Sequence, residues 1–513
     1  MAAPMNIDQI CAWIREQAPR GALASDSRRI QRGDVFFAYP GDAGDGRAFI
    51  EKAIESGAAA VVYEERGYAW NTEWTVPHLA VLELKKNAGP IAHVCQGMPD
   101  SGMFTVGVTG TNGKTSCAVW LGQALSRGGA PAAVIGTLGV GMFRGAGEVE
   151  FDVTGYTTPD AVLLAQKLAE VRDAGAKSLA IEVSSIGLVQ GRALGMHFDV
   201  AIFTNLTHDH LDFHGDMESY EAAKRQLFDW PGLKTAVLNL DDPAGVRFVE
   251  HLRATRPQVQ VIGYTLHDVS VQPDLDGVWT LRAAQFRSRH AGTEFQLQSP
   301  RGQATVKTQL VGNFNISNAL AVMGALLAKG MALDEAIDAI EALVPAPGRM
   351  QQVGGQDAPM VVIDYAHTPD ALEKTLVTLR QVAKDRAGEL WCVFGCGGDR
   401  DPGKRPQMGR IAQIAQHVLV TSDNPRSEDP NSIIEQIVAG MDPQAENSSF
   451  QAIEDRAAAI LHAVRQAAKQ DVILLAGKGH EPYQEIKGKK LPFSDADHAA
   501  LALAARATML RPH

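Results

Sequence analysis

Apolar and polar positions switch between two periods along this chain, and the switches mark three regions. Residues 1–102 carry short apolar runs at 34–39, 58–63 and 79–84, set between stretches of helical period. That pattern predicts a small α/β unit, closed by the turn-rich segment QGMPDSG at 96–102. The second region opens with MFTVGVTG, a buried-strand pattern running into glycines. Further apolar runs lie at 132–135, 178–183, 200–204, 235–240 and 259–264, with helical period at 161–174 and 220–228. Strands alternating with helices predict a doubly wound, mostly parallel sheet, and residues 277–311 read as antiparallel β material. Past a hinge at Pro345-Ala-Pro-Gly348, one unit repeats four times: an apolar strand, a polar loop, and in most cases a helix. The strands are 360–363, 390–394, 417–421 and 472–475, and the loops are DYAHTPD, GCGGDRDPGKR, SDNPRSEDP and AGKGHEPY. Ligands of open α/β sheets bind at the carboxyl ends of strands, where these loops fall. The expected units are therefore 1–102, 103–343 and 344–513, the last Rossmann-like.

The chain has 513 residues, enough for about three domains. Acidic side chains outnumber basic ones by 59 to 48, which argues against a nucleic-acid partner. Cys11, Cys95, Cys117, Cys392 and Cys396 include no C-x-x-C, so reduced thiols in a cytoplasmic protein are expected. No basic-then-apolar start and no membrane-length apolar run occur, so no membrane insertion is expected.

GVTGTNGKTS at 107–116 stands between a strand and a helix, the place of a phosphate-binding loop. Val108 occupies the position of the first glycine in the strict pattern, whereas Gly110, Gly113, Lys114 and Thr115 keep theirs. Lys114 would reach the β- and γ-phosphates of a nucleotide, and Thr115 would hold Mg²⁺. No N-K-x-D guanine signature accompanies the loop. Two later strand ends carry EVSS at 182–185 and TNLTHDHLDFHG at 204–215. Glu182 and His210 are candidate Mg²⁺ ligands there. His208, His210 and His214 leave zinc open, as well as a histidine-rich turn held only by hydrogen bonds.

The ordered set GVTGTNGKT, EVSS, TNL-x-x-DHLD-x-HG, YEAAK ending at Lys224, GNFNISN, PGRM and DYAHTPD resembles the Mur ligase family. DNPR at 423–426 and GKGHE at 477–481 are similar to its diaminopimelate-adding members. The resemblance implies ATP-dependent addition of meso-2,6-diaminopimelate to UDP-N-acetylmuramoyl-L-alanyl-D-glutamate through an acyl phosphate, by a monomer. It implies ATP contacts from Gly110, Thr111, Asn112, Gly113, Lys114, Thr115, Ser116, Asn315, Asn318 and Arg349, with Asp364 helping to close the cleft. It implies catalytic roles for Lys114, Glu182, His210, Lys224, Arg349 and Asp364. Thr115, Glu182, His210 and a carbamylated Lys224 would serve Mg²⁺. Ser27, Thr157, Thr158, Ser184, Gln190 and Arg192 would bind the UDP-muramoyl dipeptide. Arg400, Asp423, Asn424, Pro425, Arg426, Gly477 and Glu481 would bind diaminopimelate. Gln351 and Ile186 depart from the family pattern, and the loop 41–44 is atypical. Three alternatives remain at this point: a sister ligase with another amino acid, a folylpolyglutamate-type ligase, or a nucleotide-gated ATPase. Arg426 also has a plain alternative, a surface arginine paired with Glu428 or Asp429.

Overall fold

The computed structural model describes residues 5–41, 44–145, 147, 149–267, 277–289, 292–355, 357–445 and 448–509. Asp42 and Ala43 of the atypical loop lie outside them.

The first sheet is parallel throughout, in the order Leu23–Ala24, Val35–Ala38, Ala60–Glu64, His78–Val81. Successive strand residues face opposite sides. Val35, Phe37 and Val62 pack with Ile10, Ile14 and Ile91, while Phe36, Val61 and Tyr63 pack with Ile50 and Ala53. The run expected at 79–84 ends early. Glu83 takes left-handed backbone, φ 54, and the buried Glu64 carboxylate accepts from the N–H groups of Glu83 and Leu84 at 3.3 and 2.7 Å. Leu84 therefore opens the helix Leu84–Cys95 instead of extending the strand.

The second sheet has eleven strands among the described residues. Its parallel centre runs Trp279–Arg289, Gln260–Thr265, Thr235–Asn239, Val200–Phe203, Phe104–Thr109, Ser178–Glu182, Ala132–Gly136. Antiparallel strands extend both edges, Gly292–Ser299 and Gly302–Thr308 on one side, Gly139–Phe143 and Phe151–Asp152 on the other. Helices Lys114–Ser126 and Asn313–Ala328 cover one face through a core that includes Val106, Val108 and Trp120. Ile181, Phe203 and Leu238 face a second core with Leu164 and Phe248. Burial on both faces explains why these strands read as continuous apolar runs. The helix expected at 220–228 is Met217–Arg225, started earlier by Asp216, which accepts from the Ser219 N–H at 2.7 Å.

The third sheet runs Gln351–Gly354, Met360–Asp364, Val472–Ala476, Leu390–Phe394, His417–Val420, Ser449–Ala452, parallel except for its first strand. Helices Pro369–Asp385, Lys404–Ala412 and Pro430–Val438 follow three of the four repeated strands. After the fourth the chain makes a hairpin, Tyr483–Ile486 with Lys489–Pro492, turned by Lys487 and Gly488 at φ 49 and 74. The hairpin and the short edge strands escape sequence reading because most of their residues are half-buried or exposed and they lack a sustained apolar run.

Candidate active site

Phe104–Thr109 lies between Ser178–Glu182 and Val200–Phe203, the point where strand order reverses. Its carboxyl end delivers Gly110-Thr-Asn-Gly113 into the helix Lys114–Ser126. Gly113 holds φ 88 at the helix start, where no side chain caps the first turn. A Cβ on Gly113 would meet the Asn318 amide at 2.6 Å, so glycine serves both the backbone and the packing. An uncapped helix N-terminus behind such a loop attracts anions. Ser116 is buried in its first turn. Lys114 folds over the loop, donating to the carbonyls of Gly110 and Thr111, each at 2.8 Å. Desolvation lowers its pKa, against the attraction of Glu182 and Asp209.

The adjacent strand end braces the loop. Thr204 donates to the Asn112 carbonyl at 2.6 Å, and Asn205 accepts from the Asn112 N–H at 2.9 Å and donates to its carbonyl at 3.0 Å. Sequence reasoning misses both braces; the available signal is the TN pair opening the 204–215 motif at a strand end.

Glu182 is 1 % exposed. Its carboxylate accepts from the Thr115 hydroxyl at 3.0 Å and from the Thr137 N–H at 2.8 Å. Carboxylate and hydroxyl oxygens beside a phosphate loop suit a hard divalent cation. His210 takes left-handed backbone, φ 53, with its ring 3.5 Å from Asp209. Partial burial lowers its pKa against the pull of Asp209. His214 instead meets the Ser185 hydroxyl at 2.9 Å and stacks on Tyr220, and His208 is exposed. Among the described residues no three His, Cys, Asp or Glu side chains gather as a metal cage, so the geometry gives zinc no support. Lys224 is 1 % exposed, its Nζ 4.2 Å above the Tyr220 ring. Burial first, and repulsion from Lys114 second, drive its pKa well below the ordinary lysine value.

The third sheet reaches this loop directly. Arg349 donates to the Thr115 hydroxyl at 3.2 Å and lies 4.5 Å over the Tyr365 ring. Asp364 accepts from the Met350 N–H at 2.9 Å, and burial raises its pKa. Gly348, at φ 66, abuts the backbone of Gly479 and His480, where any Cβ would collide. Gln351 accepts from the Gly348 N–H at 2.9 Å, a bond a glutamate would also accept, so this departure keeps the turn. Asn112 donates to Asp370 at 3.4 Å. Asn315 is buried, donating to the Val311 carbonyl at 2.9 Å.

Asp423, Asn424 and Pro425 are buried at the end of His417–Val420, and Gly477 and Glu481 follow Val472–Ala476, on the other side of Leu390–Phe394. Asn424 donates to Glu481 at 2.8 Å. Arg426 donates to the Gly398 carbonyl at 2.7 Å, and its Nε is 3.5 Å from Glu485. Pairing with Glu428 or Asp429 does not occur. Glu428 is held by Arg405 through two 2.8 Å bonds, and Asp429 caps Pro430–Val438. The hairpin fixes Arg426 instead, since the Arg426 N–H donates to Glu485 and the Lys487 N–H to Arg426. Arg400 is exposed beside this group. Lys478, unassigned from sequence although it lies inside GKGHE, is fully buried between these residues.

Thr157, Thr158, Ser184 and Arg192 form one cluster against Glu182. Thr158 donates to the Glu182 carbonyl at 2.9 Å and Arg192 to the Thr158 carbonyl at 2.8 Å. Thr157 meets Thr137 at 3.1 Å, and Ser184 caps the helix Ser185–Val189, which Gln190 follows. Ser27 is buried in the first unit. Its neighbours Asp26, Arg28 and Arg29 line a cavity of about 440 Å³ shared with Asp160 and Lys167. Ser25 donates to Asp160 at 2.6 Å, joining the first unit to the second.

Three family descriptions match the sequence: Mur ligase family, catalytic domain, over residues 22–93; Mur ligase middle domain over 108–326; and Mur ligase, glutamate ligase domain, over 348–479. A UDP-N-acetylmuramoyl-L-alanyl-D-glutamate–2,6-diaminopimelate ligase of Janthinobacterium sp. (strain Marseille) is 63 % identical, with 97 % of each chain covered. The ligase of that name from Ralstonia nicotianae is 51 % identical over 96 % of this chain and 95 % of its own. A solved structure of such a ligase aligns with TM-score 0.66 and 35 % identity, covering 95 % of both chains. Mycobacterium tuberculosis folylpolyglutamate synthase complexed with ADP shares the fold, with TM-score 0.60 and 19 % identity over 84 % of this chain and 95 % of its own. With its phosphate loop, its strand-end carboxylate and these matches along most of its length, the chain belongs to the Mur ligase family.

Proposed function

We propose that this ATP-dependent ligase joins meso-2,6-diaminopimelate to UDP-N-acetylmuramoyl-L-alanyl-D-glutamate in the cytoplasm, for peptidoglycan synthesis. The observation that carries the reading is the junction at Thr115, whose hydroxyl meets Glu182 of the central sheet and Arg349 of the third. A nucleotide on the loop is thereby within reach of groups from two units.

The D-glutamate γ-carboxylate attacks the γ-phosphorus of ATP, and ADP leaves. The diaminopimelate amine attacks the resulting acyl carbon, loses a proton, and inorganic phosphate leaves as the amide forms. This chemistry depends on positioning and charge neutralisation. Lys114 and the N–H groups of Gly110–Ser116 would hold the phosphates, with Asn315 and Asn318 behind the nucleotide. Arg349 and Asp364 would close the cleft and exclude water from the acyl phosphate. Thr115, Glu182, His210 and carbamylated Lys224 would hold Mg²⁺, which when bound neutralises phosphate charge. Lys224 suits carbamylation because burial lowers its pKa and favours the neutral amine, the form that adds CO₂. Residues 1–102 with Thr157, Thr158, Ser184, Gln190 and Arg192 would take the UDP-muramoyl dipeptide. Residues 344–513 would take the amino acid through Arg400, Asp423, Asn424, Arg426, Gly477 and Glu481.

The test is phosphate release from ATP. It should require both the UDP-muramoyl dipeptide and diaminopimelate; rapid release with ATP alone would overturn ligation in favour of a simple ATPase.

A further inference from the structure

Lys478 presents a charge arrangement that the roles above leave unused. Its side chain is 0 % exposed, and its ammonium donates to Asp423 at 3.4 Å, Asn424 at 3.2 Å and Glu481 at 3.2 Å. Those three acceptors sit on two loops at the carboxyl ends of His417–Val420 and Val472–Ala476, the parallel strands that flank Leu390–Phe394 in the third sheet. Asn424 closes the ring by donating to Glu481 at 2.8 Å. The ring centres of Tyr483 in the hairpin and Phe493 just after it lie 5.9 and 6.0 Å from the ammonium. The hairpin also clamps the ring from outside: Gln484 donates to the Asp423 carbonyl at 2.6 Å, and the Glu485 N–H to Asn424 at 2.9 Å. A buried ammonium with three good acceptors is stable in place, whereas two buried carboxylates without it would repel each other.

We infer that Lys478 is the positioning residue of the amino-acid pocket: its ammonium bonds Asp423, Asn424 and Glu481 and fixes their directions. This rests on the reading of the third unit as the diaminopimelate site. An amino-acid substrate carries ammonium groups, and ionised carboxylates in fixed directions are the groups that receive them. Lys478 itself has no exposed surface, so it acts through its three partners. The other ionisable groups facing the pair are few. Arg456, buried and bidentate to Asp495, lies close enough to feel both Asp423 and Glu481. Burial, with both carboxylates nearby, pushes Tyr365 up to about 12, and the buried Cys396 thiol also feels Asp423. Arg426 is taken by Glu485. With Lys478 gone, Arg456 is the cation left near the pair among the described residues; Asp495 and the Ala476 carbonyl hold its Nε and Nη2, and its Nη1 has no partner. One carboxylate of the pair would then hold its proton to higher pH.

The experiment is steady-state ligation by the full chain across pH 5.5–9, varying each substrate in turn, for the unaltered enzyme, Lys478→Met, Lys478→Gln and Lys478→Arg. Lys478→Met should raise KM for diaminopimelate at least about tenfold while KM for ATP and for the UDP-muramoyl dipeptide stay within about twofold. The acid limb of kcat/KM for diaminopimelate should move to higher pH in Lys478→Met and Lys478→Gln. Lys478→Arg, which keeps the charge, should keep the native limb. If Lys478→Met does not fold, the Gln and Arg variants are compared by the same two readouts. An unchanged KM and limb in an active uncharged variant, or an equal rise in all three KM values, overturns the positioning role alone. Failure of the unaltered chain to use diaminopimelate overturns the underlying reading, and this inference with it.

Discussion

Arg349 donates to the hydroxyl of Thr115 at 3.2 Å, across 234 residues of sequence. The same hydroxyl donates to Glu182 at 3.0 Å, so one threonine links the third sheet to the carboxylate of the second. Arg349→Ala should therefore lower kcat about 10²–10³-fold, as loss of a charged group that stabilises transferring phosphoryl does. Thermal stability should change little, because the guanidinium makes one hydrogen bond and one ring contact. Equal kcat in variant and native enzyme would remove Arg349 from the chemistry.

Lys114→Ala should abolish ligation while leaving a folded chain. Among the described residues its ammonium bonds only to the carbonyls of its own loop, so few tertiary contacts depend on it. Near-native turnover in a folded variant would mean that this loop is not the catalytic phosphate site.

Lys224→Ala should be inactive and partly rescued by a short carboxylate such as acetate or formate. The residue is buried, its pKa is lowered by that burial, and it is unpaired with any carboxylate among the described residues. Mass spectrometry of the native enzyme kept under CO₂ should show one added carboxyl at Lys224. Full activity of Lys224→Ala without added carboxylate would end the idea.

Arg426→Ala should lose diaminopimelate use preferentially, with kcat/KM falling at least about 10²-fold. The native enzyme should strongly prefer diaminopimelate to L-lysine, since the two differ by the carboxylate that a guanidinium binds bidentately. Glu485→Gln should leave Arg426 freer and alter KM for diaminopimelate without changing KM for ATP, because the 3.5 Å contact competes for the same guanidinium. Equal use of L-lysine by the native enzyme would sink the specificity.

Asp100→Asn should destabilise the junction of the first two units. Asp100 is fully buried and accepts from the His197 N–H at 2.7 Å and lies 3.0 Å from its ring nitrogen. The bond to Asp100 first, and Asp199 second, raise His197 to about 10. A raised histidine stabilises fully below its unfolded value of about 6.5, and that contribution fades as pH climbs towards about 10. The loss should be about 2 kcal/mol at pH 6, below the usual cost of breaking a buried pair because the His197 side chain is 36 % exposed. Melting curves at pH 6 and pH 10 should show a large gap between native and variant at the first and a smaller one at the second. A gap that widens with pH would contradict the assignment.

Local chemistry made the phosphate loop legible from sequence alone. Glycines, a lysine and hydroxyls needed within ten residues leave a mark that survives without knowledge of the fold, and buried strands leave apolar runs of strand length. Lys114, Thr115, Glu182 and the third-unit loops stand at strand ends, where the apolar runs stop. The partners of those groups leave no such mark. Sequence proximity offered Glu428 and Asp429 to Arg426, yet a hairpin without an apolar run brings Glu485 there, and Arg405 takes Glu428. Lys478 carries no signal in the sequence; the order of the third sheet sets Asp423 beside it, 55 residues away. Composition and period fix what each segment is, because they act over one or two turns of chain. Which strand ends become neighbours follows from sheet order and packing of both faces, and that is a property of the whole fold.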